Sequence, residues 1–137
     1  MKPSRPPLRE VVAVLPAALR LLARLRWLHP RRDIRGLAAA VTSDSPRRSL
    51  SSDRAQTASR LCGAIIRRLP RIFPQPCLYW SLAACHFLRR AGQEPVIHIG
   101  VRVEAGEIVS HAWLTVDEQI VAGQSDPGEY QEMLTLP

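Results

Sequence analysis

PRIFPQPCLYWSLAACHFLRRAG, residues 70–92, is the stretch on which the reading of this chain turns. Pro70, Pro74 and Pro76 each drive the preceding residue toward extended backbone. Directly after Pro76 the pattern becomes helical, with Leu78, Leu82, Cys85 and Leu88 recurring at spacings of four and three. Gly92 is suited to the left-handed position that ends a helix. The spacing predicts an extended entry over 70–76 and a helix from Cys77 to Ala91. A thiol in a first helical turn meets the positive end of the helix dipole and amide protons with no partner inside the helix. Both favour the thiolate, the reactive form, and the same amides can hold an oxyanion.

Downstream of this helix the periodicity changes to two. Val96 to Val103 alternates, with Ile97, Ile99, Val101 and Val103 on one face. A turn around Gly106 leads to a second alternating run, Ile108 to Val116. Asp117-Glu118 is a tight turn, and Ile120 to Ala122 begins a third strand. Upstream the pattern is helical. Leu15, Leu19, Leu22 and Leu25 mark a helix over 8–28, in which Pro16 signals a kink or a late start. His29-Pro30 stops it, a short helix follows over 34–41, and 42–53 reads as a loop. Asp53 is placed to cap a helix to Leu69, with Leu61, Ile65 and Leu69 on one stripe. The fold class is α+β: N-terminal helices, a central helix carrying Cys77, and a C-terminal antiparallel sheet of about three strands. Residues 1–70 form an N-terminal helical region packing on a core of residues 71–137.

Composition narrows the function classes. The chain has 137 residues, 46% of them apolar but only 5% aromatic, so aliphatic side chains must build most of the core. Lys and Arg exceed Asp and Glu by 19 to 12, a formal charge of +7, and most of the excess lies before residue 75. The arginines are dispersed and not interleaved with aromatics, which speaks against nucleic acid and for solvated helix faces. The three cysteines, Cys62, Cys77 and Cys85, form no CxxC pair. That argues against a disulfide framework or a zinc site, calls for no metal or cofactor, and fits a reducing cytoplasm. The apolar run from Val11 to Leu19 is too short to span a bilayer and reads as an amphipathic helix. Its association with a membrane surface stays open.

His111 is the partner that Cys77 needs. On its strand Val109, His111, Trp113 and Thr115 share one face, and Ala112, Leu114 and Val116 share the other. If the Cys77 helix covers the first face, the imidazole is aimed at the helix start and can take the thiol proton. The second face then needs a lid, for which the N-terminal helices are the candidate. Cys62 and Cys85 read as small core hydrophobes. His86 diverges from Cys85 by about 100° around the helix and cannot serve it. His98 reads as a polar-face residue. With a two-residue turn at Asp117-Glu118, His111 lies opposite Gln124 and Asp126 becomes a diagonal neighbour on the same face. Asp126 is therefore preferred as the group that orients the imidazole, ahead of Asp117, Gln124 or a backbone carbonyl.

Five short motifs, taken together, resemble the lasso-peptide maturation proteases. They include Cys77-Leu78-Tyr79-Trp80-Ser81-Leu82-Ala83, Leu88-Arg89-Arg90-Ala91-Gly92, Ile99-Gly100-Val101-Arg102 and Ser110-His111-Ala112-Trp113-Leu114, while Asp126-Pro127 resembles the Asp-Pro pair found after the same hairpin in the wider superfamily. That family belongs to the transglutaminase-like, papain-related superfamily. The resemblance covers roughly residues 60–137 and implies a Cys–His–Asp cysteine peptidase, with Cys77, His111 and Asp126 as its members. The N-terminal half reads as helices without the strands of a leader-binding winged-helix domain, so the chain resembles the stand-alone form. The resemblance implies removal of the leader from a ribosomally made precursor peptide. Its implied partners are that precursor, a separate leader-recognition protein and an ATP-dependent lasso cyclase. Acyl transfer to an amine by the same residues, or a non-catalytic basic adaptor, are the alternatives.

Overall fold

The computed structural model describes residues 5–43, 49–123 and 130–136. Four helices, α1 (Leu8–Leu28), α2 (Ile34–Ser43), α3 (Ser52–Arg68) and α4 (Pro76–Arg90), precede four strands. The strands are β1 (Val96–Glu104), β2 (Glu107–Val116), β3 (Gln119–Gly123) and β4 (Gln131–Leu136). They form one antiparallel sheet in the order β3-β2-β1-β4. The fold class is the α+β arrangement expected, with one strand more. β4 returns to pair with β1, setting Leu136 beside Ile97 and Leu134 beside Ile99. It escapes notice in the sequence because Gln131, Glu132 and Met133 show no apolar–polar alternation and give it an exposed opening.

The central helix obeys its sequence. Proline fits the first helical position, where its missing N–H costs nothing, and Pro76 stands there. At the other end Gly92 takes φ +85°, its N–H bonding to the Arg89 carbonyl while Gln93 N–H reaches that of Leu88. Leu78, Leu82, Cys85 and Leu88 are all buried, and so are Tyr79, Ser81, Ala83, Ala84 and Phe87. α4 is therefore packed on nearly every side. The Tyr79 hydroxyl lies 2.6 Å from His29 Nδ1 at the end of α1. Trp80 Nε1 donates to Ser59 O of α3 at 3.1 Å, and His86 Nδ1 lies 3.0 Å from Val41 O of α2.

α3 departs from its expected stripe. Its buried residues are Ala55, Thr57, Ala58, Ser59, Cys62, Gly63 and Ile66, whereas Leu61 and Ile65 are half-buried and Leu69 is 41% exposed. Small residues face inward because α3 lies close against α4; a Cβ on Gly63 would stand 2.9 Å from the Trp80 indole. Its N-cap is Ser51, whose hydroxyl accepts from Arg54 N at 3.3 Å, and Asp53 sits in the first turn instead. α1 runs continuously through Pro16, so that proline marks no late start.

The sheet face against α4 carries Ile97, Ile99, Ala112, Leu114, Ala122, Leu134 and Leu136, and these join the helices in one aliphatic core. Two-residue turns with positive φ link the strands, Ala105-Gly106 between β1 and β2 and Asp117-Glu118 between β2 and β3. A Gly63→Val substitution is expected to force Trp80 outward and lower stability by about 1–3 kcal/mol. A urea titration should show a lower midpoint with an unchanged slope.

Candidate active site

Cys77 lies one residue inside α4, half-buried, beside a cavity of about 270 Å³. Pro74, Gln75 and Pro76 of the extended entry line one side of it, and Val109, Ser110, His111 and Ala112 of β2 line another. Ile34 of α2 and Ile99 of β1 complete the wall. Gln75 is the N-cap residue, yet its side chain makes no capping bond. The first amides of α4 are thus left uncapped by that residue at the cavity, where they present positive potential.

The sulfur meets β2 edge-on. Ala112 N–H donates to Cys77 Sγ at 3.5 Å. The described pairing of β3 with β2 extends only as far as Trp113 and Gly123, one residue short of Ala112. The sequence reading puts the helix on the Val109–His111–Trp113–Thr115 face. Instead α4 packs on the opposite face, through Ala112 and Leu114. Those two side chains give a flat aliphatic surface, whereas the His111 face is committed to aromatic packing. There the His111 ring lies 4.8 Å from the Tyr130 ring, and Trp113 lies 6.2 Å from Tyr130 and stacks on His98 at 5.4 Å. Gly100, opposite His111 on β1, makes room for this: a Cβ there would stand 2.9 Å from Tyr130 Cβ and 3.0 Å from the Trp113 ring. No helical lid is needed; α1 and α2 pack on α3 and α4.

Cys77 and His111 are therefore brought to one cavity from different directions, the sulfur at the strand edge and the half-buried imidazole beside it. Among the described residues, the hydrogen bond to the sulfur comes from the Ala112 amide and not from the His111 ring. Asp126 lies outside the described residues. The register argument that selects it shifts by one. A bulge between Leu114 and Thr115 sets Trp113 opposite Gly123, where an unbroken two-residue hairpin would set it opposite Ala122. Asp117 is exposed in the turn, six residues from His111, or about 20 Å along the strand. His98 is a polar-face residue as expected, with Nδ1 2.5 Å from Glu132 Oε1 and Nε2 2.8 Å from Thr115 Oγ1. Glu132 is held below the usual carboxylate range by the Thr135 hydroxyl and then by His98. Sequence reasoning missed Tyr130, which belongs to no periodic run but packs on the His111 ring.

Burial separates the three thiols. Cys62 and Cys85 are fully buried, and desolvation pushes both up to about 12. Neither lines the cavity.

A thiol in a first helical turn, served by a strand amide and sharing a cavity with a strand histidine, is an α+β arrangement with the residue types that acyl chemistry at sulfur uses. The family model of the transglutaminase-like superfamily matches residues 15–135, and the chain belongs to that superfamily. Its members' chemistry is that of cysteine proteases and acyltransferases. Searches of curated proteins and of solved structures returned no match.

Iodoacetamide near neutral pH is expected to label Cys77 alone in the native protein and all three cysteines in urea, read by peptide mass mapping. The buried thiols also set an alkaline limit. They hold protons to about 12 when folded but release them from about 9 when unfolded, so their share of stability is complete below about pH 9 and falls as pH rises toward 12.

Proposed function

We propose that this protein is a cysteine peptidase that removes the leader from a ribosomally synthesised lasso-peptide precursor. The observation that supports it most is the shared cavity lined by Cys77, by Gln75 and Pro76 at the start of α4, and by His111. Superfamily membership supports the thiol chemistry, and the resemblance carried by the motifs around Cys77, Gly92, Gly100 and His111 supports the substrate class. The enzyme works in the cytoplasm, with a separate leader-recognition protein delivering the precursor and an ATP-dependent cyclase closing the ring.

In the reaction, His111 rotates from its place on Tyr130 into the cavity and takes the Cys77 proton. The sulfur attacks the scissile carbonyl, forming a C–S bond while the oxyanion is held by the α4 amides. Collapse breaks the C–N bond, and the imidazolium protonates the leaving amine. Water, deprotonated by His111, then attacks the thioester; the C–S bond breaks, the imidazolium returns its proton to sulfur, and the product acid leaves and ionises in solvent. Asp126 holds the imidazole in the required tautomer. An acyl-transfer variant differs only in the final acceptor, an amine in place of water.

The test is incubation of the protein with a candidate precursor and recognition protein, followed by mass spectrometry. Hydrolysis adds water to the cleaved products, whereas transfer adds the amine. Cys77→Ala is expected to abolish cleavage with the fold intact by circular dichroism, and full activity in that variant ends the proposal. His111→Ala is expected to lower kcat/KM by about three orders of magnitude or more. Asp126→Asn is expected to cut turnover and Asp117→Asn to leave it unchanged; the reverse result reassigns the orienting acid.

A further inference from the structure

A second concavity, of about 530 Å³, lies away from Cys77 between the C-terminal halves of α1 and α3 and the turn that follows α3. Its walls come from Leu19 and Trp27 on α1 and from Leu69 and Ile72 beyond α3. These four large apolar side chains are 41–59% exposed. Leu22 and Phe73 form a buried floor. Exposed apolar walls around a recessed floor are what an amphipathic helix uses when it lays its apolar face into a groove.

Charge says which kind of helix. Arg26 and Arg31 line the groove, and the Arg31 guanidinium sits 4.3 Å over the Trp27 ring while donating to Trp27 O. Arg26 and Arg31 are the charged residues that line the groove, and no Asp or Glu occurs in residues 11–32 or 54–93, which contain every residue lining it. Among the described residues no carboxylate lines the groove, so the charge at its wall is that of the two guanidinium groups. Guanidinium groups favour carboxylates through paired N–H···O bonds. A flat lipid surface would cover the rim but leave the floor unfilled, whereas a helix can lower side chains onto Leu22 and Phe73.

We propose that the α1–α3 groove is a docking site for an acidic amphipathic helix of another protein. Its apolar face enters between Trp27 and Ile72, and its flanking carboxylates meet Arg26 and Arg31. This site is independent of Cys77 and of the reaction proposed above.

The probe is a fluorescein-labelled synthetic helix with leucines on one face and glutamates elsewhere, titrated with the full chain by fluorescence anisotropy. Saturable binding is expected, weakening as salt rises. Trp27→Ala and Ile72→Ala are each expected to weaken it about tenfold, as truncation of an interface anchor does. The double charge reversal R26E/R31E should abolish binding, and the same peptide with lysines for glutamates should not bind. Circular dichroism and Cys77 labelling keep a folding defect in any variant distinguishable from lost binding. Absence of saturable binding overturns the proposal, as does equal binding by all variants. Capture by phosphatidylserine vesicles but not by the peptide, lost in Trp27→Ala, also overturns it and assigns the surface to membranes.

Discussion

The structure depends on burying the middle of α4 while leaving its first turn open. Nearly every residue from Leu78 to Leu88 is in contact with protein, and each neighbour is tied on by a specific polar bond. Tyr79 holds the end of α1 through His29, Trp80 holds α3 through Ser59, and His86 holds α2 through Val41. The sheet closes the remaining side with aliphatic residues. Each tie is a polar group that would be costly to bury alone, so the helix fixes its partners as well as attracting them. A side chain at the head of such a helix inherits its rigidity, which is how a reactive group is held without flexible support.

Much of this was legible because it is local. Pro76 before an apolar helical stripe, and Gly92 after it, specify the ends of α4 through backbone geometry alone. Alternation in 96–103 and 108–116 specifies two strands, and the positive-φ pair Asp117-Glu118 specifies their neighbour's turn. Cys77 stood out because it opens a helix, and His111 because it interrupts the apolar alternation of a strand.

The rest required knowledge of what packs where. Ala55, Ala58 and Gly63 look like weak core candidates, yet they face inward because two helices approach closely, and the leucines beside them are pushed out. Both faces of β2 are apolar, so periodicity could not say which one α4 covers; Tyr130 decides it by joining Trp113 on the far side. One bulged residue moves the β2–β3 register, and an argument that counts along a hairpin cannot see it. β4 pairs with β1 from a distant part of the chain, and its exposed opening carries no strand signal.

The placing of the three sulfurs has a consequence for oxidative chemistry. Cys85 stands eight residues along the same helix from Cys77, about 12 Å, which is beyond disulfide reach. Cys62 is sealed inside the protein with no exposed surface. A sulfenic acid formed on Cys77 would find no resolving thiol in its own chain. Its rescue must come from a small-molecule or partner thiol, and without one the sulfur climbs to the sulfinic state and stays there.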